Sequence, residues 1–142
     1  MPPQPPENGL LLPSYRVLDL SGPEAVFCGK LLAALGADVL KIERPKTGDV
    51  SRRLGPFPED VPHIETSGTF LYLNTGKRSL TLDVDDPQGQ IILGALATRS
   101  DVLIHDIQPR RAAELSLDPE SMSQINGELV MAAITPYGSD GP

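Results

Sequence analysis

From Tyr15 onward the chain alternates short apolar runs with segments of helical period, and this alternation narrows the possible folds more than any other feature of the sequence. Residues 16–20 (RVLDL), 38–42 (DVLKI), 79–84 (SLTLDV), 101–105 (DVLIH) and 129–134 (LVMAAI) read as strands. Helical segments lie between the first two and over 87–99, with shorter ones at 69–73, 110–115 and 119–125. Strands joined by crossovers make a parallel sheet, so the expected class is α/β, with about five strands flanked by helices.

Local chemistry adds detail. Ser21 and Glu24 fit the S-x-x-E capping box, with Pro23 early in the helix, so the first helix is expected to start close to Ser21. Its Val26, Phe27, Leu31, Ala34 and Leu35 share a face, and Gly36 stands where a left-handed cap ends a helix. In the 87–99 helix, Ile91, Ile92, Ala95 and Leu96 are expected to face the sheet, and the run at 129–134 has the continuity of a strand buried on both faces. Pro45, Gly48, Gly55, Pro56, Pro58 and Pro62 make the segment after the second strand a long surface loop. Five prolines among the first thirteen residues predict a flexible Pro-rich leader over 1–14, ahead of one domain at 15–142. The final YGSDGP is rich in turn residues and brings no closing helix, so the domain is expected to be unfinished on that side.

A net charge of −7 opposes the phosphate backbone of DNA or RNA, so no nucleic-acid partner is expected. Cys28 is the sole cysteine, which excludes an internal disulfide, and no Cys/His cluster suggests a metal. With no long apolar run and no secretion-type leader, no membrane association is expected, and the expected setting is cytoplasmic.

Ligands of open parallel sheets bind at the carboxyl ends of the strands. The candidates there are Ser21 and Gly22 after the first strand, Glu43, Arg44 and Lys46 after the second, and Asp83 and Asp85 at the third. Asp106 and Gln108 follow the fourth, Thr135 and Tyr137 the fifth. A dinucleotide site is disfavoured because the first turn lacks G-x-G-x-x-G, leaving Gly22 as a turn glycine. Arg44, Lys46, Arg52 and Arg53 concentrate positive charge, which suits either a phosphorylated ligand or pairing with Glu43 and Asp49. Lys77 and Arg78 precede the third strand, away from the ligand edge, and read as structural, pinning the long loop. His63 and His105 are too far apart in sequence and setting for a metal pair, and His105 and Asp106 point to opposite faces, which argues against a hydrogen-bonded acid/base pair. Cys28 reads as a small packing residue.

The ordered blocks RVLDLSG, LLAALGADVLKIERPKTGD, FLYLNTGKRSLTLDV, ATRSDVLIHDIQP and ITPYGSDGP resemble the family III CoA transferases, a group that includes formyl-CoA and carnitine CoA transferases and the related α-methylacyl-CoA racemases. The resemblance implies a Rossmann-like large domain, incomplete here, and an interlocked homodimer when the protein is full length. It implies coenzyme A, as acyl-CoA, and a carboxylic acid as substrates, with no metal. Residue by residue it places Arg44 near the adenosine phosphates, Leu82, Asp83 and Asp85 along the adenine and ribose, and further contacts at Asp106, Ile107, Gln108, Thr135 and Tyr137. The aspartate nucleophile of the transferases is expected beyond residue 142, so no catalytic residue is assigned within the chain. The racemase branch, and a catalytically inert half acting in dimer assembly, are the alternatives. The turn at Ser21–Glu24 is one residue shorter than is common and acidic. Asp85 stands where lysine is common, Asp106 where asparagine is, and Glu114 where arginine is, each making the site more negative.

Overall fold

β1 (Arg16–Leu20) lies at the centre of the sheet, paired in parallel with β2 (Asp38–Glu43) on one side and β4 (Val102–His105) on the other. β3 (Arg78–Thr81) adds outside β2 and β5 (Val130–Ala133) outside β4, giving five parallel strands in the order β3-β2-β1-β4-β5. This computed structural model describes Leu12 and residues 14–138, so most of the leader expected over 1–14 lies outside the described residues. The order reverses between β1 and β4, the switch point of a doubly wound sheet.

Helices α1 (Val26–Ala34) and α2 (Gly68–Leu73) pack together, with the Lys30 ammonium 3.0 Å above the Tyr72 ring. On the opposite face α3 (Pro87–Ala97), α4 (Pro109–Glu114) and α5 (Pro119–Ile125) cover the main core of Leu18, Ile42, Leu82, Leu93, Leu103, Leu115, Leu117 and Met122. Val17, Val39 and Ile104 point to the α1 side, where they meet Ala25 and Ala37. Strand side chains alternate between faces, so RVLDL and DVLKIE each feed both cores.

Helix ends follow their local chemistry. Asp86 caps α3 by accepting from the Gln88 and Gly89 N–H groups, with Pro87 in the first turn. Gly36, at φ 102°, closes α1: its N–H donates to Ala33 O while that of Ala37 donates to Leu32 O. Two 3-10 turns, Val50–Arg53 and Pro58–Asp60, punctuate the long loop.

Three expectations are corrected. The capping box does not form: α1 begins at Val26, and the Ser21 hydroxyl and N–H both donate to Asp19. The packed faces of α1 and α3 are also different. Val26 and Leu96 pack inward as expected, but Phe27, Leu31 and Leu35 of the first segment, and Ile91, Ile92 and Ala95 of the second, are exposed, while Gly29, and Gly89, Leu93 and Ala97, are buried. Each helix includes a glycine at its closest approach to the sheet side. A Cβ at Gly89 would overlap the Asp83 carbonyl, and one at Gly29 would overlap the Asp19 carboxylate. Finally, β5 is an edge strand among the described residues, with Val130 61% exposed rather than buried on both faces.

Candidate functional site

Where β1, β2 and β3 end, the main core opens into a cleft of about 150 Å³. Leu20, Ile42, Leu82 and Val84 form its apolar floor, Ile107 and Leu115 close one wall, and Arg44 and Arg111 stand at its rim. Asp85, on the turn after β3, faces both guanidinium groups: Arg44 Nη2 lies 3.2 Å from Oδ2, and Arg111 pairs with Oδ1. An apolar floor with charge confined to the rim suits a flat ring system carrying an anion.

The cleft brings together Arg44, Leu82, Asp85 and Ile107 of the expected site residues. Asp83 is exposed beside it, and its carboxylate accepts the Asp85 N–H at 3.0 Å, which shapes the turn. Gln108 is exposed at the start of α4, where its carbonyl accepts the Ala112 N–H. Thr135 and Tyr137 follow the edge strand β5 and do not line this cleft; Tyr137 is 74% exposed.

Asp106 turns toward α1 instead. Its carboxylate accepts the Gly22 N–H at 2.7 Å and the Glu24 N–H at 3.1 Å, so the turn before α1 is satisfied by an internal anion. A dinucleotide pyrophosphate would sit in this crevice at the β1/β4 switch point, and the protein fills it with its own carboxylate. The acidic departures therefore have partners: Asp106 has these two amides, Asp85 has two arginines, and Glu114 has Arg110 and Arg111.

Behind the cleft, on the α1 face, lies a buried ionic network that the sequence reading did not identify. Asp19 of β1 is fully buried between Lys77 Nζ at 2.6 Å and Lys41 Nζ at 3.7 Å, and Lys41 continues to Asp49 at 2.9 Å. Lys77 also donates to the Val26 carbonyl, so it joins α1 to β1 rather than pinning the long loop. Burial lowers the Lys77 pKa while the Asp19 charge opposes that shift. Only strand parity signalled this arrangement: Asp19 and Lys41 fall on the same face as Val17 and Val39.

Glu43 ends β2 in a comparable cage. Arg52 grips both its oxygens, at 2.6 and 2.9 Å, and the Ser79 hydroxyl and Asp49 N–H add 2.6 and 2.9 Å bonds. Burial raises its pKa, but these hydrogen bonds and the Arg52 charge outweigh that and bring it to about 2. Of the basic loop cluster, then, Arg52 is structural, whereas Arg44 reaches the cleft and Lys46 lines a neighbouring polar hollow with Thr47 and Thr81. His105 is 2% exposed, accepts the Ile107 N–H at Nδ1, and has a pKa lowered by burial. Cys28 packs, half-buried, against the α1-side core. Among the described residues no group of His, Cys, Asp and Glu is placed to hold a metal, and no helix is long and apolar enough to cross a membrane.

Residues 12–142 match the family model described as CoA-transferase family III. The chain is 35% identical over 128 residues to the succinyl-CoA:(R)-benzylsuccinate CoA-transferase subunit BbsE of Thauera aromatica, covering 90% of this chain and 31% of that protein. It is 40% identical over 131 residues to a formyl-CoA:oxalate CoA-transferase of Afipia carboxidovorans, covering 89% and 29%. Among solved structures, a CAIB/BAIF family protein from Brucella suis superposes with a TM-score of 0.82 at 32% identity, over 94% of this chain and 35% of that one. The chain thus spans about 30% of the length of these curated relatives.

Proposed function

The chain belongs to CoA-transferase family III, and on that premise we propose that it forms much of the CoA-binding surface of an enzyme that moves CoA between carboxylic acids. The observation that carries this reading is the cleft at the carboxyl ends of β1–β3, where an apolar floor meets the Arg44 rim. Adenine is flat and apolar on its faces, and the phosphates beside it are anionic, so Leu82 and Val84 suit the base while Arg44 suits a phosphoryl oxygen. Exposed Asp83 can accept from a ribose hydroxyl, while Asp85, on the same turn, faces the two guanidinium groups. Asp106, Ile107 and Gln108 border the same edge, Asp106 acting indirectly by holding the turn at Gly22.

The acyl-transfer step needs an aspartate carboxylate that attacks the acyl-CoA carbonyl and expels CoA thiolate to give a mixed anhydride; the thiolate then attacks the aspartyl carbonyl, releasing the donor carboxylate and leaving an aspartyl-CoA thioester. In this reading that aspartate lies beyond residue 142, and Thr135 and Tyr137, after β5, are proposed as further contacts to CoA. The acceptor is a carboxylic acid, and the full-length protein is an interlocked homodimer. The names of the relatives above favour transfer over epimerisation.

Replacing Arg44 with Ala in the full-length enzyme is expected to raise the Michaelis constant for the acyl-CoA about tenfold, with turnover little changed. An unchanged constant contradicts the assignment.

A further inference from the structure

Two guanidinium groups from different elements share one carboxylate at the mouth of the cleft. Arg44, after β2, takes one oxygen of Asp85, and Arg111, on α4, takes the other. We propose that Arg111 is a second anion-binding residue of this site: with Arg44 it clamps a phosphoryl group of the ligand, and the Asp85 carboxylate is a resident stand-in that the phosphoryl group displaces. The inference rests on the reading that CoA occupies this cleft and adds a residue and a mode of binding to it.

Arg111 lines the cleft beside Leu82 and Val84 and is 44% exposed, so an incoming anion can reach it. Its Nη1 is held by Glu114 at 2.9 Å, one turn along α4, which orients the fork and leaves Nη2 for the cleft. Asp85 is 38% exposed, and ion pairs this open to water are screened and individually weak. A phosphate monoester carries about −1.5 to −2 charge and three acceptor oxygens, so it outcompetes a single carboxylate for two guanidinium groups. The exchange requires little rearrangement. The turn carrying Asp85 is fixed through its backbone N–H to Asp83, so the side chain can rotate into solvent while the turn stays in place. The resting cluster of Arg44, Arg111, Asp85 and Glu114 is formally neutral, and it becomes cationic at the rim once Asp85 swings out.

The test is calorimetric titration of the full-length protein with CoA, 3′-dephospho-CoA and pantetheine. Arg111→Gln is expected to weaken CoA binding about tenfold or more, Arg111→Lys to restore part of the loss, and Asp85→Asn to tighten binding about fivefold. Arg110→Gln, whose side chain is 94% exposed and outside the cleft, should bind as the parent does. If the clamped group is the 3′-phosphate, the Arg111→Gln loss vanishes with 3′-dephospho-CoA; if it is the pyrophosphate, the loss persists there and vanishes with pantetheine. CoA binding that is unchanged in both folded Arg111 variants overturns the clamp while leaving the CoA reading standing. Weaker binding by Asp85→Asn overturns the stand-in. Absence of CoA binding by the parent protein overturns both the clamp and the reading beneath it.

Discussion

Lys77 Nζ donates to Asp19 Oδ2 at 2.6 Å, with both side chains at most 1% exposed, and the same nitrogen reaches the Val26 carbonyl. One ammonium group thus joins the turn before β3 to the central strand and to the first turn of α1.

Removing that ammonium leaves the Asp19 carboxylate buried with Lys41 at 3.7 Å as its remaining cationic neighbour. Lys77→Met is expected to destabilise the fold by about 3 kcal/mol, in the range for breaking a buried pair. The double variant Asp19→Asn/Lys77→Met should recover part of the loss. Urea denaturation checks this, and an unchanged midpoint in the single variant contradicts it.

Gly94→Ala in α3 and Gly29→Ala in α1 should have opposite signs. In an open helix interior Gly→Ala stabilises by about 0.5–1 kcal/mol, and Gly94, whose nearest neighbour to an added Cβ is Ile125 at 3.9 Å, should behave so. At Gly29 the added methyl overlaps Asp19 Oδ2 and comes within 3.0 Å of Lys77 Nζ, so Gly29→Ala should destabilise by about 1–3 kcal/mol. Thermal melts of the two variants side by side give the comparison.

The Glu43 cage makes stability depend on acid. Its carboxyl pKa falls from an ordinary 4.5 to about 2 on folding, so its stabilising contribution is complete above about pH 4.5 and is lost as the pH drops toward 2. Glu43→Gln should therefore be less stable than the parent at neutral pH, with the difference narrowing across that window. A difference independent of pH contradicts the cage.

Much of the sheet was legible because parallel strands and their caps have local signatures. RVLDL, DVLKI and DVLIH became β1, β2 and β4 within a residue, and Gly36 took the left-handed cap its position required. The helix faces were not legible. Gly29 and Gly89 are buried because the sheet side offers a carboxylate and a carbonyl at close range, and that information resides in residues distant in the chain. Hydrophobic periodicity instead selected Phe27 and Ile91, which are exposed. For the site, the strand ends pointed to Arg44, which reaches the cleft, but Arg111 belongs to a helix whose packing alone swings it over the cleft. The Asp19–Lys77 ion pair and the hydrogen bond from the Gly22 N–H to Asp106 join residues 58 and 84 positions apart, beyond the reach of any local pattern.

The most direct test of the account is methyl NMR of the folded protein during titration with CoA. The carboxyl-edge cleft carries Leu20, Ile42, Leu82, Val84 and Ile107, whereas a larger hollow of about 220 Å³ at the amino edge carries Val17, Leu40 and Leu96 beside Arg16, Arg78 and Arg99. The account predicts saturable shifts in the first set, reduced in Arg44→Ala, with the second set still. Shifts confined to Val17, Leu40 and Leu96 would place the nucleotide at the wrong end of the sheet and contradict it.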